Sequence, residues 1–463
     1  MKKSVNFWII IFSILLFSVR WFNSFSNFYE TIDSKIIFES VSDGYYYFSQ
    51  LKALANFNLN YSFDPNVVNL GTITVPTGAF LLHFILYLII GSWSFIISEF
   101  FFIFLFLIIF YKIFRLLSFN RIQSIALSLV LFTIPDFLQL LSLEQLNYFS
   151  VVYSELFSLR FPRPLVSNIY FFSFFLFLIK LSRKKIFVKK NFIILGLISG
   201  LSFTSFIHIF IVEQISLLFF FIYKYKLQVI KVIKENIDCI ISYILSFIII
   251  SAPFLINTFF NETDLLERFG LANLDYDQRI FLFKYHLTKL LKPEFFGVFI
   301  SSVLLIIFLN SKNLFNNTKK LDIFYIIFYS SIITPFVFIL ISTKYFSHFY
   351  HFNNIIVICA FLLLFFSISV ILNMYMKKIF SEKFTNFIFI FLVVVSLTTN
   401  VIQTQKNYFK NHLNDKSILE RKEFNKVINI IQETDLLKKN KDLSLLTFDN
   451  KFLIWFILNN VEF

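Results

Sequence analysis

"VPTGAFLLHFILYLIIG", residues 75–91, decides how the whole chain threads. The run is apolar enough to enter a bilayer. Counted as a full crossing, it inverts every later segment and puts the basic stretch "SRKKIFVKK" (182–190) on the outer face. Short loops carrying Lys and Arg stay on the cytoplasmic side. The run therefore reads as a re-entrant or surface-lying helix. Backbone that enters without crossing must be buried in protein or lie at the interface.

On that reading every basic cluster falls inside. The clusters are Lys2 with Lys3; Lys112, Arg115 and Arg121; residues 180–190; residues 224–234; Lys312, Lys319 and Lys320; and Lys377, Lys378 and Lys383. A helix needs about 20 apolar residues to cross. The crossings then run 7–22, 95–111, 122–138, 165–181, 191–207, 208–223, 239–257, 294–310, 323–342, 353–373 and 384–400. That is an all-α polytopic membrane protein of about 11 crossings plus one re-entrant or surface segment, N-terminus inside and C-terminus outside.

Composition agrees. The chain has 463 residues, 57% of them hydrophobic, with a mean hydropathy of +0.74. The net charge of +14 sits between hydrophobic runs, so it reads as topology and not as a nucleic-acid surface. The 72 Phe follow, with Lys, Asn and Ile, from AT-rich codons and carry no functional reading. Cys239 and Cys359 each fall inside a hydrophobic run, which excludes a disulfide framework. The N-terminal "MKKSVNFWIIIFSILLFSVRWF" has no small-residue cleavage site after it and reads as an uncleaved first helix.

Residues 1–400 form the membrane domain, with a first outer loop at 23–94. Within that loop, "VSDGYYYFSQLKALANF" (41–57) places Tyr47, Leu51, Leu54 and Ala55 on one helical face. A tyrosine-bearing amphipathic helix suits the headgroup level. Residues 401–463 form an outer tail, ending like an incomplete small soluble domain or packing against the outer loops.

A first helix, a long outer loop with an acid near its start, juxtamembrane helices and many further crossings resemble the GT-C fold of membrane glycosyltransferases. Asp43 in "SDGYYYFSQ" takes the position of that family's loop acid. "VPTGAFLLHFILYLIIGSWSFIISEF" (75–100) is similar to its P-P-L-x-Y-W…G-x-S stretch, and "IILGLISGLSFTSFIH" (193–208) to its G-x-x-x-G-L helix. The likeness covers about residues 1–260; the family's usual D-E or D-x-D pair is absent. It implies transfer of a sugar from a polyprenyl-phosphate carrier to an envelope lipid, glycan or protein. The setting implied is the outer face of a bacterial plasma membrane. The partners implied are that donor and membrane lipids, with no nucleic acid. No cofactor is firmly implied, and a divalent metal stays an open alternative.

Such chemistry needs a base on the acceptor hydroxyl, cations on the carrier phosphate and a greasy groove beside both. Asp43 is the candidate base, with Tyr46 beside it for substrate; Asp43 also suits a helix N-cap. Arg160 and Arg163, in "SELFSLRFPRPLVSN" (154–168), are candidate phosphate ligands because guanidinium grips phosphate with two bonds. Lipid headgroups would serve them equally. His208 lies at a tight outer turn, with Glu213 deeper in the crossing; ionisable groups at that depth are costly and often functional. A His–Glu pair holding the turn is the plainer alternative. Glu99 offers a partner for Arg160 or Arg163. Lys344 and His348, with His351, cluster in an aromatic outer loop and can touch a diphosphate, or serve as polar tips of an aromatic belt. "DYDQR" (275–279) hints at a metal, but a solvated charged loop explains it better.

Two other classes compete. A lipid or polysaccharide transporter predicts broken helices and repeat symmetry; only 8 Gly and 8 Pro, with no repeat, speak against it. A non-catalytic envelope protein of the same architecture predicts the missing second acid.

Overall fold

Long runs of Phe, Ile and Leu can satisfy their backbone in hydrocarbon only as helix. The computed structural model describes residues 2–27, 29, 32–41, 47, 51, 54–55, 77–141, 151–183, 187–260, 271–292, 300–301, 303–305, 307–308, 321–342, 344–346, 349–411 and 415–433. Helix dominates them. In chain order the elements are α1 (Lys2–Asn27), α2 (Ser34–Val41), α3 (Thr77–Ile90), α4 (Ser94–Leu116), α5 (Arg121–Leu140), α6 (Pro164–Arg183), α7 (Lys189–Ser205), α8 (Ile207–Tyr225), α9 (Val229–Glu235) and α10 (Ile237–Phe260). There follow β1 (Leu271–Asn273), α11 (Tyr276–Leu290), α12 (Asp322–Ile341), β2 (Lys344–Phe346), α13 (His351–Ile379), α14 (Glu382–Asn411) and α15 (Asp415–Glu433). The two short strands pair antiparallel, Ala272 opposite Tyr345.

Eight segments among the described residues are long and apolar enough to cross a membrane. They are Val5–Asn27, Gly78–Leu116, Arg121–Leu140, Pro164–Arg183, Ile207–Glu235, Asp322–Ile341, His351–Ile379 and Glu382–Lys406. Three of the expected crossings fall outside that set. Segment 191–207 lies in α7, a helix of only 17 residues. Segment 239–257 lies in α10, whose apolar described part is Ile237–Pro253. Segment 294–310 lies mostly outside the described residues.

The bundle has a basic end and an ionic end. Arg115, Arg183, Lys224 and Lys377 close α4, α6, α8 and α13, and Arg121 and Lys189 open α5 and α7. Arg115 donates to the carbonyl of Phe119 at 2.6 Å, and Arg183 to that of Leu116, so cations cover the carbonyls at the α4 terminus. The opposite end holds Arg20, Glu99, Asp136, Arg163 and His208.

Helix α3 stays at the ionic end. Its head, Gly78, meets Leu201, Thr204 and Ser205 at the close of α7, and its carbonyl accepts from the Tyr170 hydroxyl at 2.8 Å. Its tail turns through Gly91, at φ +57°, into the start of α4. There Ser92 and Ser34 of α2 share a hydrogen bond of 2.7 Å. At 1.5 Å per residue α3 is about 21 Å long, less than the hydrocarbon thickness.

Phenylalanines fill the interior between α4, α6, α12 and α13. Phe106, Phe110, Phe172, Phe366 and Phe324 form one chain of rings 4.3–6.1 Å apart. A second apolar cluster roofs the ionic end. It joins Trp21, Ile36, Phe38, Phe80, Phe95 and Phe161, with Ile428 of α15 buried in it. Helix α15 thus packs on elements of the first loop.

Candidate functional site

Three charges from three helices meet at the ionic end. Arg20 sits near the close of α1, Glu99 in the second turn of α4 and Arg163 one residue before α6. Glu99 pairs with Arg20 at 3.0 Å and with Arg163 at 2.9 Å. Glu99 and Arg163 are each 1% exposed; Arg20, at 20%, reaches the surface. Arg163 also donates to the Phe95 carbonyl and, at 3.5 Å, to the Ser98 hydroxyl. Its guanidinium carbon lies 5.8 Å from the Trp21 ring, within cation–π range. Its backbone N–H points to His83 Nε2 at 3.5 Å. Burial lowers the Arg163 guanidinium to about 10 while Glu99 pulls upward, so Arg163 keeps its charge at neutral pH. On the far side of Arg20, Asp136 of α5 lies within its electrostatic reach and accepts from Asn400 of α14 at 2.6 Å. Asp136 thus links the cluster, through Arg20, to α14.

Of the two partners offered for Glu99, Arg163 takes it. Arg163 is therefore held inside the bundle by a buried ion pair. Arg160 remains exposed, its backbone N–H bonded to Ser158 Oγ at 3.1 Å. The expected amphipathic face is present where residues are described. Leu51 is buried, and Tyr47 and Leu54 pack against the roof cluster. Tyr47 touches Phe80 at 5.7 Å between ring centres, and Phe80 touches Phe161 at 5.7 Å. Asp43, Tyr46 and His348 lie outside the described residues. Lys344 is described by its backbone alone, opposite Asn273 in the ladder.

His208 is buried at the start of α8, its ring against Phe206, His351 and Phe352 at 4.8–5.4 Å. Glu213 does not pair with it; the carboxylate instead accepts from Ser202 of α7 at 2.8 Å. The turn between the helices is a single extended residue, Phe206.

"DYDQR" resolves as a helix start. Asp275 caps α11 by accepting from Gln278 N–H at 2.8 Å, and the Gln278 side chain accepts from Asp275 N–H in return. Arg279 closes the neighbouring helix by donating to the carbonyls of Ile339 and Ser342 at the end of α12. Among the described residues no group of three or more His, Cys, Asp or Glu is placed to hold a metal ion.

Arg20, His83 and Asp136 were not singled out from sequence. Arg20 and Asp136 did carry a signal, each a lone charge within or at the edge of an apolar run. His83 carried none, since one His in an apolar helix is ordinary core. No known protein family, no curated protein and no solved structure matches this chain.

Proposed function

We propose that this protein is an integral membrane glycosyltransferase, moving a sugar from a polyprenyl-phosphate carrier to an envelope acceptor at the ionic end of the bundle. The supporting observation is the ring contact from Tyr47 through Phe80 to Phe161. It ties the segment just after Asp43 to the segment carrying Arg160, the two halves such a reaction needs. In this reading Asp43 is the base on the acceptor hydroxyl and Tyr46 assists it. Arg160 steadies the departing phosphate while Arg163, locked on Glu99, fixes the segment that presents it. In the same reading His208, Lys344 and His348 also bind substrate. The ionic end faces outward, eleven helices cross, and α3 re-enters without crossing.

The test is transfer to the envelope acceptor in cells carrying Asp43→Asn or Arg160→Ala. Asp43→Asn abolishes transfer, and Arg160→Ala cuts it by about 100-fold, an effect of the size expected for one transition-state charge contact. Membrane insertion is unchanged in both. Full transfer by the Asp43→Asn protein ends the proposal. The neutralised Arg163 favours a second reading, a non-catalytic membrane protein of the same architecture, which predicts that neither variant changes the envelope.

A further inference from the structure

Glu213 lies six residues into α8, about 9 Å along the helix from its start, at 1.5 Å per residue. It is fully buried. A carboxylate withdrawn from water needs a positive charge close by, because its hydration is lost in a low-dielectric interior. Glu213 makes no ion pair with a described residue. What surrounds it is neutral and oxygen-bearing. Ser202 Oγ donates to Oε1 at 2.8 Å, and Ser199 lies one turn earlier on α7. Beside these, the Tyr243 hydroxyl of α10 donates to Gln214 Oε1 at 2.7 Å and lies 3.0 Å from Ser199 Oγ.

Two buried atoms in this cluster have no hydrogen-bond partner: Glu213 Oε2 and Ser216 Oγ. They sit three residues apart, so both open on one face of α8. Other titratable groups on or beside α8 include Tyr243, His208 at the helix start, His351 beside it, and Tyr223, Lys224 and Tyr225 in the last turn. Asp322, bonded to the Tyr223 hydroxyl at 2.6 Å, marks the opposite end.

We propose that Glu213, with Ser199, Ser202 and Ser216, forms an intramembrane site for a single positive charge, a sodium ion or a proton. The donor set fits. Hard oxygen ligands suit a small hard cation, and one carboxylate is neutralised by one monovalent charge, whereas a divalent ion would leave a buried excess. The site is separate from the Arg20–Glu99–Arg163 cluster and independent of glycosyl transfer.

The experiment uses the purified full chain in detergent, wild type beside Glu213→Gln and Ser202→Ala. Thermal unfolding is followed in sodium, potassium and choline chloride at equal ionic strength and fixed pH. Infrared spectra are recorded in H2O and D2O. If sodium is the occupant, wild type gains a saturable sodium-specific rise in midpoint. Glu213→Gln lacks that rise, and Ser202→Ala needs about tenfold more sodium, the equivalent of one charge-assisted hydrogen bond. If a proton is the occupant, wild type shows a protonated-carboxyl stretch that shifts in D2O, changes frequency in Ser202→Ala and is missing in Glu213→Gln. A wild type with neither response, or a Glu213→Gln protein with the same responses, overturns the proposal. Should Glu213→Gln fail to accumulate, the Ser202→Ala comparison decides by the same readings.

Discussion

Glu99 holds two arginines at once, and its removal leaves Arg163 charged and buried with no counter-ion. Stripping one member from a buried ion pair costs about 3–5 kcal/mol. Glu99→Gln is therefore expected to lower the unfolding midpoint of the detergent-solubilised protein sharply. Replacing Glu99 and Arg163 together with Leu and Met restores much of the loss, since Arg20 can turn to water. A double variant as unstable as Glu99→Gln would show that the pair does more than neutralise itself. His286 makes a second prediction at this scale. It is fully buried on α11, its ring against Phe336 and Phe349. Burial pushes its imidazole down to about 4 from an ordinary 6.5. The unfolded chain then binds a proton between those values that the folded chain refuses. Stability is complete above pH 6.5 and is lost as pH falls toward 4, by about 3 kcal/mol in all. His286→Phe should flatten that part of the pH–stability curve; an unchanged slope would assign the loss to other groups.

Helix contacts show how close approach is arranged. Gly196 and Gly200 lie one turn apart on the face of α7 that meets α10. A Cβ at Gly196 would strike the Tyr243 carbonyl, and one at Gly200 would come within 2.8 Å of Ile250 Cβ. Small residues at such spacing let membrane helices pack backbone to backbone. Gly196→Ala should cost about 1–3 kcal/mol, because main chain must move. Gly91→Ala has open space around it and pays only for its left-handed backbone, about 1 kcal/mol. Comparing the two unfolding midpoints separates crowding from strain. Helix α14 is held differently, by polar clamps on α5. Asn400 donates to Asp136 at 2.6 Å and Gln403 to Gln139 at 3.0 Å at the ionic end. Asn120 donates to Asn386 at 2.8 Å at the basic end, while its own Oδ1 caps α5. Asn120→Ala loses both roles. The cap alone is worth about 1 kcal/mol, so a loss at or below that value would mean the α14 bond adds nothing.

Among the described residues, the helix ends at one end of the bundle carry cations, while the other end pairs cations with carboxylates. Cations alone would set orientation, and the basic end should face the cytoplasm. Single-cysteine labelling of intact cells tests this directly, because the native Cys239 and Cys359 are both buried. Cysteines placed at the exposed Arg160 and Asp277 should react with an impermeant reagent, and those at the exposed Lys231 and Lys378 should not. The reverse pattern would turn the molecule over and remove the outer-face chemistry with it.

The helical, membrane-spanning character was legible in the residues, because a bilayer forces unbroken apolar runs into helix whatever their neighbours. So were the face formed by Tyr47, Leu51 and Leu54 and the placing of Glu99 against an arginine. Local pattern could not reach the rest. That Arg163 turns inward while Arg160 stays out depends on where α4 lies, not on the two residues between them. That Glu213 meets Ser202 and not His208 depends on the pairing of α7 with α8. Hydrophobic periodicity records which side of a helix avoids water; which partner a buried charge finds is set by long-range packing, and that was decided only when the helices came together.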